Sequence, residues 1–140
     1  MTISRSLLLG LAVLGIGCGG RSLTVAVTAA TPTPVPDVFS CVRASLQPIG
    51  YRQSSLDVDA HRVTARRNDE TARRADVRFR RTVDEIEIEV RADATGQTAL
   101  EVQSKTFSEY FTERGPTFVQ EETSDGARRA GQAVLEACGR

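Results

Sequence analysis

The sequence predicts an α+β domain in which about four antiparallel strands carry an N-terminal and a C-terminal helix on one face. First, apolar residues recur every three or four positions near residue 40 and again near residue 130. Second, the region between these stripes alternates apolar with charged residues, which is typical of half-buried strands. Third, one cysteine, Cys41 or Cys138, falls on the apolar side of each predicted helix, so a single bond could join the helices if they lie side by side.

The first helix is predicted over residues 37–50. Pro36 or Asp37 suits its start, and Pro48-Ile49-Gly50 suits its end. Its apolar stripe consists of Val38, Val42, Leu46 and Ile49.

The second helix is predicted near the C-terminus. Thr123, Ser124 or Asp125 can cap its first turn, and Gly139 ends it. Its apolar positions are Ala127, Ala130, Val134, Leu135 and Cys138.

The strongest strand pattern lies at residues 85–91, where every second residue is apolar and the others are charged. After a turn at 93–97, residues 98–105 repeat this alternation, so the two segments predict an antiparallel hairpin. A weaker pair of strands is expected earlier, at 51–56 and 62–67.

Two further segments are less regular. Residues 107–119 are expected to hold a short hairpin that turns at 114–116. Residues 68–82 fit either a helix face or a strand, and an excursion or a bulged extension of the strand is favoured.

The alternation also assigns the faces of the sheet. The face under the helices should carry Ile86, Ile88, Val90, Leu100 and Val102. The opposite, solvated face should show Glu87, Glu89, Glu101, Gln103, Lys105, Arg62 and Arg66.

The first residues have the order of a secretory signal: Arg5, an apolar run over residues 7–16, and a small residue. The run is shorter than the roughly 20 residues of a membrane-spanning helix. Gly15-Ile16-Gly17 before Cys18 resembles the box of the bacterial lipoprotein signal family. The resemblance implies that residues 1–17 are removed and that Cys18 is acylated, which would anchor an exported protein in a membrane of the cell envelope. The residue after the cysteine is Gly19 and not an acidic residue. The resemblance therefore implies a location in the outer membrane, facing the periplasm or the cell surface.

Residues 18–36 are predicted to be a lipidated cysteine followed by a Pro/Thr-rich linker, because they lack large apolar residues. The remaining residues, 37–140, have the size of one small domain.

Two alternatives to this division remain open. Val25 and Val27 could belong to an edge strand, and an ordinary signal could be cut after Ala29.

With Cys18 lipidated, Cys41 and Cys138 form an even pair in an oxidising compartment, which favours a disulfide. The alternative is a redox or metal pair. Neither cysteine has CxxC spacing, and His61, the only histidine, has no partner pattern. Neither a metal site nor a cofactor is therefore predicted.

Charge is segregated along the chain, and residues 62–81 contain eight arginines and three acidic residues. One interpretation is an anion-binding patch of Arg66, Arg67, Arg73, Arg74 and Arg78. The other is that Arg62 and Arg66 face Glu87 and Glu89 across neighbouring strands. The formal net charge is zero, which with the export signal argues against a nucleic-acid partner.

No motif activates a serine or threonine, and the carboxylates at positions 85, 87, 89 and 101 lie on an open face where they stay ionised. Four of the seven aromatic residues lie within positions 107–118, where core packing is expected and an exposed docking patch or pocket rim is the alternative.

The sequence therefore predicts a non-catalytic, membrane-anchored envelope lipoprotein, an interaction or accessory protein whose partners are the membrane and another envelope protein. The alternative is a small-molecule or lipid-binding module, with a site between helices and sheet near residues 107–118. A carboxylate-dependent hydrolase or transferase is the third hypothesis.

Overall fold

Six antiparallel strands form one sheet in the computed structural model, which describes residues 22–140. The elements are β1 (Thr24–Thr31), α1 (Val35–Leu46), β2 (Arg52–Asp57), β3 (Arg62–Asp69), β4 (Phe79–Ala92), β5 (Thr98–Thr112), β6 (Gly115–Glu121) and α2 (Asp125–Cys138). The spatial order is β1-β5-β4-β3-β2, and β6 pairs with the remaining part of β5. The predicted α+β class is confirmed, whereas the expected count of about four strands is too low. The predicted signal of residues 1–17 and the predicted lipidation site Cys18 lie outside the described residues.

The long hairpin of β4 and β5 is the centre of the sheet. Its register pairs Ile88 with Val102, so that apolar side chains share one face and charged side chains the other. The connecting turn is fixed by Asp93, whose Oδ1 accepts the backbone N–H groups of Thr95 and Gln97 at 2.8 and 3.0 Å. This hairpin and the β2–β3 pair both confirm the sequence prediction.

The strand β1 corrects the predicted linker. It pairs antiparallel with residues 98–105 of β5, and Val27 lies opposite Val102. Threonine and valine favour a pleated strand, and β1 is rich in both. The strand also lies beside α2. Cγ2 of Val27 is 3.9 Å from the position that a Cβ atom would occupy at Gly131 of the helix. The alternative of an edge strand at Val25 and Val27 is therefore correct, and the fold includes Thr24–Thr31 rather than starting at residue 37.

The strand β6 pairs with residues 106–112 of β5, on the same edge as β1. The two short strands therefore lie end to end along β5. The sequence predicted that this strand ends near residue 105, whereas β5 continues to Thr112. The chain then turns back at Gly115, whose φ is 107°. Within residues 68–82, β4 starts at Phe79 and shows a register shift before Arg81, as the bulged-extension interpretation requires.

Both helices pack against each other and on the same face of the sheet. Helix α2 begins after Ser124, whose Oγ accepts the N–H of Ala127 at 3.0 Å, and it ends at Gly139 as predicted. Helix α1 begins at Val35, after Pro34. Burial of each large aliphatic side chain contributes about 1.5–3 kcal/mol. The fully buried aliphatic side chains are Ile86, Ile88, Leu100, Val38, Val42, Val63, Val90, Val102 and Val134.

Candidate functional site

The two cysteines of the described domain form a disulfide between the helices. The Sγ atoms of Cys41 and Cys138 are 2.01 Å apart, and the Cα atoms are 5.8 Å apart. The predicted disulfide is therefore confirmed. Within residues 22–140, His, Cys, Asp and Glu form no group of three or more that could hold a metal ion, and neither helix is long and apolar enough to cross a bilayer.

The five arginines of the predicted anion-binding patch do not form one surface. Arg66 lies on the face opposite the helices, where its Nε and Nη2 donate to Glu85 at 2.7 Å. Arg67, the next residue, lies on the helix face and donates to Asp84 at 2.7 Å. Successive residues of a strand point to opposite faces, so the two guanidinium groups pair with different carboxylates, although both residues line the groove described below.

The other three arginines lie in the loop before β4. Arg74 pairs with Glu121, and Arg78 donates to Asp76 at 2.9 Å. Arg73 donates to the backbone carbonyls of Glu70 and Ala72 at 2.7 and 2.8 Å. These contacts use part of the five-donor capacity of each guanidinium group.

Cross-strand pairs account for the charged face instead. Arg62 donates to Glu89 at 2.7 Å and lies 3.9 Å from Glu87, as the alternative interpretation predicted. Arg66 pairs with Glu85 rather than with these two residues. Exposed pairs of this kind contribute only about 0.2–1 kcal/mol each, so they set the strand register more than the stability.

A groove of about 540 Å³ lies beside this face, and we call it the outer groove. Its floor includes Val83, which is buried although it lies opposite the helix face. Phe118 forms one wall, and the guanidinium of Arg66 lies 5.9 Å from the centre of its ring. The remaining lining includes Arg52, Gln53, Ser54, Asn68, Glu70, Arg81 and Glu109.

Charge in the outer groove is mostly paired. Arg81 pairs with Glu109, whose side chain is 7% exposed, and donates to Glu70 at 2.7 Å. Hydrogen bonds to Glu70 and then to Glu109 raise the pKa of Arg81. Arg52 lies opposite Arg66 in the β2–β3 register and has no ion pair in the described chain. The groove therefore offers one guanidinium without an ion pair, in a mostly polar lining that includes Val83 and Phe118.

The acidic residues considered for catalysis do not pair with one another. Glu85 is buried and accepts from Arg66, and Glu89 accepts from Arg62. Glu87 accepts a hydrogen bond from Nζ of Lys105 at 3.3 Å, on the exposed part of the sheet. The geometry is that of structural ion pairs across strands.

A second charged cluster fastens the start of α2 to the sheet. Asp84 is 7% exposed and accepts three hydrogen bonds, from Arg67 at 2.7 Å and from the hydroxyls of Thr106 and Ser124 at 2.8 Å each. A carboxylate at the start of a helix also interacts favourably with the helix dipole. Burial, and then the charge of Asp84, raises the pKa of Tyr51. Sequence patterning did not identify Asp84, because its charge breaks the apolar alternation of the helix face.

The aromatic segment of residues 107–118 corrects the expectation of core packing. Phe111 is 58% exposed and Phe118 is 46% exposed. Tyr110 makes an edge contact with Phe79 at 5.8 Å, outside the main core. Together with Leu23 and Val119, which are 46% and 48% exposed, Phe111 and Phe118 form what we call the apolar edge.

No protein-family model matches the chain, and no curated protein matches its sequence.

Proposed function

We propose that the protein is a non-catalytic lipoprotein of the cell envelope, anchored by Cys18 and acting as an interaction or accessory protein. The observation that carries the proposal is the bond between Cys41 and Cys138. Structural disulfides persist in oxidising compartments and are rare in the cytosol. The signal-like residues 1–17 and the lipoprotein box that ends in Cys18 supply the matching route of export.

An interaction role is supported by what the domain leaves exposed. The outer face presents a ladder of arginine and glutamate side chains, and the apolar edge presents large apolar side chains beside it. Acidic and basic side chains arranged in rows favour a partner with complementary charge, because such surfaces steer association and fix its register.

Intact-mass analysis of the protein extracted from its native membrane tests the proposal. We expect a chain that starts at Cys18, carries the added mass of acyl chains, and gains two hydrogens on reduction of the disulfide. The Cys18→Ser variant is the matched control, because it keeps the disulfide and should lack the acyl mass. A full-length, reduced chain in the soluble fraction would refute the proposal.

A crosslinking experiment on intact cells tests the accessory role. Reversal of the charged ladder by Arg62→Glu and Arg66→Glu should abolish crosslinks to an envelope partner while the lipidated mass stays the same. Arg129→Glu on α2 is the control, because this exposed residue lies away from the ladder. Absence of a specific crosslink in the wild type would contradict a protein-binding role.

A binding module for a small anionic ligand is the second candidate, and the outer groove favours it. Its volume of about 540 Å³ lies in the range of ligand pockets, and Arg52 supplies an unpaired cation. Titration with inorganic phosphate and with a lysophospholipid should show binding that Arg52→Gln weakens and Arg129→Gln leaves unchanged. Equal binding by both variants would contradict this site.

A further inference from the structure

The N-terminal end of the described chain is fixed at one place on the domain. The backbone carbonyl of Leu23 accepts hydrogen bonds from Nε2 of Gln120 and Oγ1 of Thr123, each at 3.0 Å. Gln120 also donates to Oγ1 of Thr24 at 3.2 Å. These contacts hold Leu23 at the junction between β6 and β1, on the edge of the sheet.

The distance from this junction to the lipid anchor is short. Five residue steps separate Cys18 from Leu23, which is about 17 Å of fully extended chain. A domain of this size has a radius of gyration of about 13 Å. The proposed acylated cysteine would therefore hold the β1–β6 edge next to the membrane surface, rather than at the distance that a linker of residues 18–36 would allow.

The same edge carries most of the exposed large apolar side chains of the described domain. Leu23, Phe118 and Val119 are each close to half exposed, and Phe111 follows on the neighbouring strand. Phe118 and Val119 are successive residues, so they project to the two sides of the edge strand β6. Two exposed apolar residues lie elsewhere: Val58, 56% exposed, in the β2–β3 turn, and Val77, 97% exposed, in the β3–β4 loop. Exposed apolar area costs about 25 cal/mol per Å², so an apolar environment at the edge would lower the free energy.

We propose that the apolar edge rests in the interfacial layer of the membrane that holds the anchor, and this inference depends on the proposed lipidation of Cys18. The contact is shallow, because β6 has a strand neighbour only on its β5 side within residues 22–140, and its other backbone groups need water or headgroups. Interfacial segments bury their apolar side about 5–10 Å into the boundary of headgroups and acyl chains. The nearby charges are mixed, with Glu113 and Arg114 in the turn and Glu121 paired with Arg74, so anionic lipid is not required.

The chain contains no tryptophan, which allows a single fluorescent probe. The experiment places Val119→Trp, or the matched control Val58→Trp, in the lipidated mature protein, which is extracted from membranes and reconstituted in phosphatidylcholine vesicles. Some of the lipid carries a nitroxide quencher near the headgroup. We expect a blue shift and a loss of emission for Val119→Trp that are both larger than for Val58→Trp, and that do not change with added salt or phosphatidylglycerol.

The outcomes separate this inference from the proposed function. If intact mass shows the acylated chain but both variants are quenched equally or not at all, the membrane contact is wrong and the lipoprotein assignment stands. If Val119→Trp is shielded from water without lipid quenching, and crosslinks form between copies, a second copy covers the edge and the inference is overturned. If the chain carries no acyl mass, the proposed function fails first and the inference fails with it.

Discussion

Removal of the Cys41–Cys138 bond should cost a large part of the stability of the domain. The perturbation is the double substitution Cys41→Ala and Cys138→Ala in a Cys18→Ala background, which keeps the protein free of lipid for measurements in solution. The bond spans 97 residues and joins α1, near the start of the fold, to the last turn of α2. Nearly the whole domain is therefore closed into one loop.

The magnitude follows from the length of that loop. In the chain-entropy treatment, closure of a 97-residue loop removes about 16 cal/mol/K from the unfolded ensemble, which is about 4.7 kcal/mol at 25 °C. Domains of this size unfold with about 5–15 kcal/mol, so the loss leaves a marginally stable fold. The helices still pack against each other without the bond, so the native architecture should remain.

Urea unfolding followed by circular dichroism measures this loss. The oxidised parent, the same protein with reductant and the double variant should give one high and two matching low free energies of unfolding. The unfolded state without the bond is more extended, so the dependence on urea should also become steeper. A loss below about 1 kcal/mol with an unchanged slope would refute the assignment of this stability to the unfolded chain.

Three further substitutions test the packing of α2 and the buried polar groups. Asp84→Asn weakens the three hydrogen bonds that fasten α2 and should cost about 2–3 kcal/mol in urea unfolding, whereas Glu89→Gln on the exposed ladder should cost less than about 1 kcal/mol. Tyr51→Phe removes a buried hydroxyl without a hydrogen-bond partner in the described residues, and should leave stability at pH 7 equal or about 1 kcal/mol higher. Because burial raises the pKa of Tyr51, the unfolded state loses this proton first as the pH rises above about 10, so the parent should lose more stability at alkaline pH than the variant does. Gly131→Ala adds a Cβ at 2.7 Å from Oγ of Ser104 and should lower the melting temperature despite its better helix propensity, and addition of Ser104→Ala should restore part of it.

The helices and the central hairpin could be predicted because their signals are local. The apolar stripe of α1 and the strict alternation of residues 85–91 each follow from the geometry of a single element. The cap at Ser124 and the stop at Gly139 are also short-range signals. Each of these features could therefore be read from a window of a few residues.

The strand β1 could not be identified with the same certainty. Thr24–Thr31 has small and β-branched side chains that suit either a linker or an edge strand, and only the free edge of β5 and the surface of α2 decide between them. Those surfaces belong to residues about 70 and 100 positions further along the chain.

The candidate sites show the same limit. The arginine count of residues 62–81 is a sequence property, but the partner of each guanidinium depends on the register of β3 against β4 and on loop contacts. That register places Arg66 opposite Glu85 and Arg67 opposite Asp84, on different faces. Asp84 is buried by α2, which follows it by 40 residues, so no local pattern marks it.

The sequence by itself determined the class of the domain, its two helices, its central hairpin and the two cysteines available for pairing, because these depend on periodicity and composition within short segments. The tertiary structure decided that β1 joins the sheet, that Arg66 and Arg67 pair with different carboxylates, and that exposed apolar side chains lie on the edge where Leu23 is held. These features depend on contacts between residues that are far apart in the chain. Such a contact stabilises the fold only after the chain between the two residues has closed into a loop.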